Sequence, residues 1–191
     1  MKHEFDAGDQ AFLAEATPEY LSALVAISEY RERIIARCRE AVSERLPELQ
    51  DAIGIQLRAG DLKDWINPKA LDKGGWPDTR ILAWLAVRLE LEGFGESYYG
   101  LTWGYRSSGD LAIDLNVTFA ASRSPLFSKA WGKFKAIGGT SVVNLYGSEI
   151  AITQPLSADQ VGALPQNLVQ VIDKWVEIWK QVGGIQGLLA P

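Results

Sequence analysis

Residues 81–119 alternate apolar and polar side chains, and this alternation constrains the fold more than any other feature of the sequence. It runs through three segments with glycine-containing connections between them: Ile81–Glu92, Tyr98–Arg106 and Leu111–Phe119. A period of two places alternate side chains on opposite faces of a sheet. The stretch therefore predicts three antiparallel strands in a meander, with one face of the meander buried.

The two connections also predict how the strands pair. Gly93-Phe94-Gly95 and Ser107-Ser108-Gly109 suit three-residue hairpin loops, in which glycine supplies the left-handed third residue. Such loops place Leu89 opposite Tyr99 and Trp103 opposite Ile113, so that every apolar side chain falls on one face. On the other face they predict three polar rows: Arg88–Gly100–Asn116, Glu90–Tyr98–Thr118 and Ala86–Thr102–Asp114.

Helical patterns flank this meander. An apolar side chain recurs every three or four residues from Thr17-Pro18-Glu19, which resembles a helix start, to Pro47, which should end the helix. A middle helix is predicted over 125–137, and a C-terminal helix begins at Pro165.

A second hairpin completes the predicted fold. Residues 141–154 alternate around Gly147-Ser148, which suits a type II′ turn. The resulting fold is α+β: a mainly antiparallel sheet, made of the meander 81–119 and the hairpin 141–154, packed with the three helices. We predict a single domain over residues 17–191, preceded by a loosely ordered N-terminus at residues 1–16.

Composition excludes several kinds of chemistry. Cys38 is the only cysteine and His3 the only histidine, so an intrachain disulfide, a cysteine metal cluster and histidine-based triads are not expected. A net charge of −5 disfavours nucleic acid as a partner without excluding it. The sequence contains no apolar run long enough to span a bilayer, which requires about 20 residues. We expect a cytoplasmic protein without a membrane segment and without a cofactor.

Carboxylates that bind a metal form one functional hypothesis, with Asp78, Glu90 and Asp114 as the candidate ligands. The order of helices and strands resembles the core of PD-(D/E)XK nucleases, and Pro77 precedes Asp78. That family's motif also requires an acid, one residue and then lysine. Glu90-Leu91-Glu92 and Asp114-Leu115-Asn116 both lack the lysine. A nuclease-like fold would therefore imply a version without catalysis.

A binding or regulatory protein without catalytic activity is the leading hypothesis, with another protein or a second copy as its partner. The chain contains seven tryptophans, and aromatic side chains are enriched at the centres of interfaces. Trp175 and Trp179 share one face of the C-terminal helix, which would form the interface if it is exposed. A third hypothesis is a small-molecule site on the polar sheet face, formed by Arg88, Tyr98, Thr102, Asp114 and Asn116. The arginine would bind an anionic group of the ligand, and the hydroxyls and the amide would fix its orientation.

Overall fold

The computed structural model of the protein describes residues 7–66, 79–106, 111–145 and 147–190. The chain divides into two compact units, which we call the N-terminal unit, residues 1–34, and the main unit, residues 35–191. The predicted assignment of residues 17–191 to a single domain, after a loosely ordered segment, stays a prediction.

In the described part of the main unit, seven strands form one antiparallel sheet. Its strands are β1 Leu57–Ala59, β2 Lys63–Ile66, β3 Thr79–Leu91, β4 Gly95–Arg106, β5 Leu111–Ala121, β6 Val142–Leu145 and β7 Glu149–Leu156. They are ordered β1-β3-β4-β5-β7-β6, and β2 also pairs with β3. The meander, the presence of the second hairpin and the α+β class are thereby confirmed. The predicted type II′ turn of that hairpin is wrong, because Leu145 pairs with Glu149, which leaves three residues between the strands instead of two.

The described residues also form four α-helices: α1 Ala7–Ile53, α2 Ser124–Gly138, α3 Leu164–Val182 and α4 Gly184–Leu189. Helix α1 is longer than predicted at both ends. It begins ten residues before Thr17 and continues through Pro47. A proline inside a helix removes one hydrogen bond. Leu49 and Ile53 are fully buried beyond it, and their burial offsets that loss.

The predicted register is confirmed between β4 and β5 and is wrong between β3 and β4. Trp103 pairs with Ile113 as expected, but Tyr99 pairs with Val87 instead of Leu89. The reason is the loop, which consists of residues 92–94 and not 93–95. The N–H of Phe94 donates to the carbonyl of Leu91 at 2.8 Å. This two-residue shift leaves each side chain on its predicted face and changes the rows across the strands.

Helices cover the apolar face of the sheet. The ring centroid of Phe119 on β5 lies 5.3 Å from that of Trp179 on α3 and 6.4 Å from that of Phe134 on α2. On β3, Val87 faces a cavity that is also lined by Val42 of α1. Cys38 on α1 is fully buried, and burial raises the pKa of its thiol to about 12. The thiol is therefore a neutral core group near pH 7.

Candidate functional sites

The observed register divides the five predicted binding residues into two groups. Its rows on the polar face are Trp84–Thr102–Asp114, Ala86–Gly100–Asn116, Arg88–Tyr98–Thr118 and Glu90–Glu96–Ala120. Thr102, Asp114 and Asn116 lie in two adjacent rows. Arg88 and Tyr98 share the next row. Arg88, which would bind an anion, thus lies apart from Thr102 and Asn116, which would orient a ligand.

Thr102, Asp114 and Asn116 line one cavity of about 330 Å³. Its other walls include Trp84, Thr153 and residues 143–145 of β6. The amide nitrogen of Asn116 donates to the hydroxyl of Thr102 at 2.7 Å and to the carbonyl of Asp114 at 3.2 Å. Since Thr102 and Asn116 are also buried, this hydrogen bond fixes both side chains. The cavity is lined by more apolar than polar surface, and it holds a hydrogen-bonded pair of polar side chains beside one aromatic wall.

Arg88 and Tyr98 belong to a separate cluster with carboxylates. The guanidinium of Arg88 donates to Glu90, and its Nε lies 3.7 Å from Glu96. The hydroxyl of Tyr98 donates to Glu96. Burial and this hydrogen bond raise the pKa of Tyr98, which keeps its hydroxyl protonated. Because Arg88 already pairs with carboxylates, the predicted grip on an anionic ligand finds no support in this arrangement.

The glycine in the middle of β4 is explained by the sheet itself. A Cβ atom at Gly100 would lie 2.0 Å from the carbonyl oxygen of Leu85 and 2.5 Å from the Cα of Ala86. Glycine within a strand marks the close approach of a ligand or of another backbone. At Gly100 the close group is the backbone of β3.

The structure does not bring the predicted metal ligands together. Glu90 and Asp114 lie in rows with two other rows between them, one row more than the predicted register placed there. Asp78 lies outside the described residues. Within the part of the chain that the structure describes, no group of three or more His, Cys, Asp or Glu side chains could hold a metal ion.

Trp175 and Trp179 are core residues. They would form an interface only if their face of the C-terminal helix were exposed, and it is not. Both side chains are fully buried. The ring centroid of Phe134 lies 5.0 Å from that of Trp175 and 4.9 Å from that of Trp179. The stripe of α3 is strongly apolar because it fills the space between the sheet and α2.

The exposed apolar side chains are concentrated in the N-terminal unit instead. Of the nine large apolar side chains that are exposed in the described part of the chain, seven lie in residues 12–30. They are Phe12, Tyr20, Leu21, Leu24, Val25, Ile27 and Tyr30, and we call them the N-terminal apolar face. Val25 is 59% exposed and Phe12 is 68% exposed. Isolated exposed apolar side chains are common, whereas a contiguous group marks an interaction surface. Tyr20, Leu24 and Ile27, at spacings of four and three residues, are the members that share one side of α1.

The sequence contained a signal for this face. Leu24, Ile27 and Tyr30 belong to the apolar stripe that predicted the first helix. A periodic pattern much longer than about 25 residues is typical of helices that pair with other helices. The predicted helix over 17–46 already exceeded that length.

Comparisons with known proteins identify no relative. The chain matches no protein-family model, no curated protein and no solved structure. Among the described residues, no helix combines the length and the apolar character needed to cross a membrane.

Proposed function

We propose that the protein is a non-catalytic binding or regulatory protein that recognises another protein chain through the N-terminal apolar face. The observation that carries this proposal is the exposure of seven large apolar side chains within nineteen residues of one helix. Burial of apolar area contributes about 25 cal/mol per Å², so this face stabilises a complex if a partner covers it. The single cysteine and the absence of a long apolar run in the sequence favour the cytoplasm as the setting.

An amphipathic helix is the partner that fits this face best. Tyr20, Leu24 and Ile27 follow one another at spacings of four and three residues, which places them on one side of α1. Such a stripe packs against the stripe of a second helix.

A photo-crosslinking amino acid at Tyr20 tests the proposal in the cells that produce the protein. The same amino acid at Glu29, on the opposite side of α1, is the control. We expect position 20 to capture one defined protein and position 29 to capture none. The captured protein, once purified, should bind the wild type and fail to bind Leu24→Glu/Ile27→Glu, while Ser22→Glu/Ala26→Glu retains binding. No capture, or equal capture from both positions, would contradict the proposal.

A small-molecule site is the second candidate, and the cavity beside Asn116 favours it. Its volume of about 330 Å³ lies at the lower end of the range of ligand sites, roughly 300–1,000 Å³. Asp114 is the only ionisable side chain among the described residues that line it. An uncharged or cationic molecule with hydrogen-bond donors is therefore the matching class of ligand.

A thermal-shift screen with small amines, amides and polyols tests this second candidate. A true ligand should raise the midpoint of wild-type unfolding because it binds the folded state. We expect Thr102→Val/Asp114→Asn to bind it at least about tenfold more weakly, a loss of about 1.4 kcal/mol. Glu92→Gln, an exposed carboxylate outside the cavity, should respond as the wild type does. Equal stabilisation of all three proteins would count against the cavity.

A further inference from the structure

We infer that the cavity beside Asn116 binds the carboxamide group of a small planar molecule. This inference rests on the small-molecule site, the second candidate function proposed above, and names the class of its ligand. It is carried by two hydrogen bonds of Asn116, because they determine which polar atoms the cavity can still offer to a ligand.

The amide group of Asn116 can offer a ligand only its oxygen. Its nitrogen donates to the hydroxyl of Thr102 at 2.7 Å and to the main-chain carbonyl of Asp114 at 3.2 Å. A carbonyl accepts hydrogen bonds and cannot donate them, so the amide atom that contacts it is the nitrogen. Both N–H groups are then in use, and among the described residues no donor contacts the Oδ1 of this buried side chain.

The hydroxyl of Thr102 supplies a donor beside that acceptor. Its oxygen accepts from Asn116, and in the described part of the chain no acceptor contacts its own proton. A carboxamide has the complementary pair on two neighbouring atoms, since its N–H donates and its carbonyl oxygen accepts. One carboxamide can therefore satisfy both the Oδ1 of Asn116 and the hydroxyl of Thr102.

Charged groups match this pair less well. An ammonium ion only donates, so it would leave the proton of Thr102 without an acceptor. A carboxylate only accepts, so it would leave the Oδ1 of Asn116 without a donor. It would also meet the like charge of Asp114, which lines the same cavity.

The walls of the cavity suit the flat, apolar body of such a molecule. The cavity has a volume of about 330 Å³ and is lined by more apolar than polar surface. In the order of the strands, Trp84 on β3 precedes the polar pair on β4 and β5, and Val143 and Leu145 on β6 follow it. Polar groups in an apolar site discriminate strongly between ligands, because a ligand that cannot pair with them leaves them unpaired.

Titration of the full chain with matched probes, monitored by NMR, tests the class of ligand. Benzamide carries a ring and a carboxamide, acetophenone has a methyl group in place of the NH₂, and benzylamine keeps the donors without the carbonyl. We expect benzamide to shift the resonances of Thr102 and Asn116. It should bind at least about tenfold more tightly than acetophenone, which leaves the Oδ1 of Asn116 unpaired, and more tightly than benzylamine.

Two substitutions of Thr102 test the role of its proton. Thr102→Val keeps the shape of the side chain and removes the hydroxyl, so it should weaken the binding of benzamide at least about tenfold. Thr102→Ser keeps the hydroxyl and should bind benzamide within about threefold of the wild type. Urea unfolding shows that each variant is folded. Equal weakening by both substitutions would mean that Thr102 acts through packing, and would overturn its assigned hydrogen bond to the ligand.

The probes distinguish failure of this inference from failure of the small-molecule site. Equal binding of benzamide and acetophenone at these resonances would overturn the carboxamide assignment and retain the site. Tighter binding of benzylamine than of benzamide there would do the same, and would identify the ligand as a cation. Binding of none of these probes, together with no ligand from the screen of amines, amides and polyols, would remove both.

Discussion

Replacement of Trp179 by alanine should lower the free energy of unfolding by about 3–5 kcal/mol, the range for large aromatic side chains in well-packed cores. Trp179 is fully buried, and its ring packs edge-on against Phe119, Phe134 and Trp175 at centroid separations of 5.3, 4.9 and 6.2 Å. Alanine would leave a cavity between the sheet and helices α2 and α3. Urea unfolding followed by circular dichroism measures the loss.

Trp131 provides the control for this prediction. Its side chain is half-buried on α2, and the Nζ of Lys135 lies 5.7 Å from its ring centroid. A partly exposed cation–π contact is worth about 0.5–1 kcal/mol. We therefore expect Trp131→Ala to lower the free energy of unfolding much less than Trp179→Ala does. Similar losses for the two variants would contradict the placement of Trp179 at the centre of the core.

The two tryptophans of α3 illustrate how far a sequence pattern determines burial. The spacing of Trp175 and Trp179 correctly placed both on one apolar face of a helix. It carried no information about what covers that face, because coverage depends on elements distant in sequence. Phe119 on β5 and Phe134 on α2 meet these tryptophans only after the chain has folded. The hypothesis of an interface there depended on this missing information.

The polar face of the sheet shows a second limit. Alternation assigned Arg88, Tyr98, Thr102, Asp114 and Asn116 to one face, which the register confirms. Whether Arg88 shares a row with Asn116 or with Tyr98 depends on whether the loop after β3 begins at residue 93 or at residue 92. A pattern of period two cannot detect a shift of two residues. The face was therefore predictable from the sequence, whereas the group of residues that forms the cavity was not.

Helix α1 shows a third case, in which the periodic pattern predicted the helix and did not specify what covers its apolar side. The stripe containing Leu24 and Ile27 has the same spacing as the buried stripe containing Ile34 and Cys38. Periodicity indicates which side of a helix is apolar and does not indicate whether a neighbour of the same chain lies against it. The length of the pattern was the more informative property.

Substitution of Gly100 by alanine is expected to destabilise the protein by about 3 kcal/mol or more, at the upper end of overpacking effects. The added Cβ would lie 2.0 Å from the carbonyl oxygen of Leu85 and 2.7 Å from the Cβ of Ala86. Both belong to β3, which pairs with β4 without interruption from Ala83 to Leu91, so neither can move without displacing a strand. Thermal and urea unfolding should show the loss.

Gly132→Ala is the matched control, because Gly132 lies in α2 and an added Cβ meets nothing within 4 Å. There the same chemical change should stabilise the protein by about 0.5–1 kcal/mol, since alanine restricts the unfolded chain and favours the helix. Gly100→Ala should therefore lower the free energy of unfolding, and Gly132→Ala should raise it. If Gly100→Ala were as stable as the wild type, the strand backbones would not be in close contact. The glycine would then have to be explained by a ligand on the polar face, and the small-molecule site would become the stronger proposal.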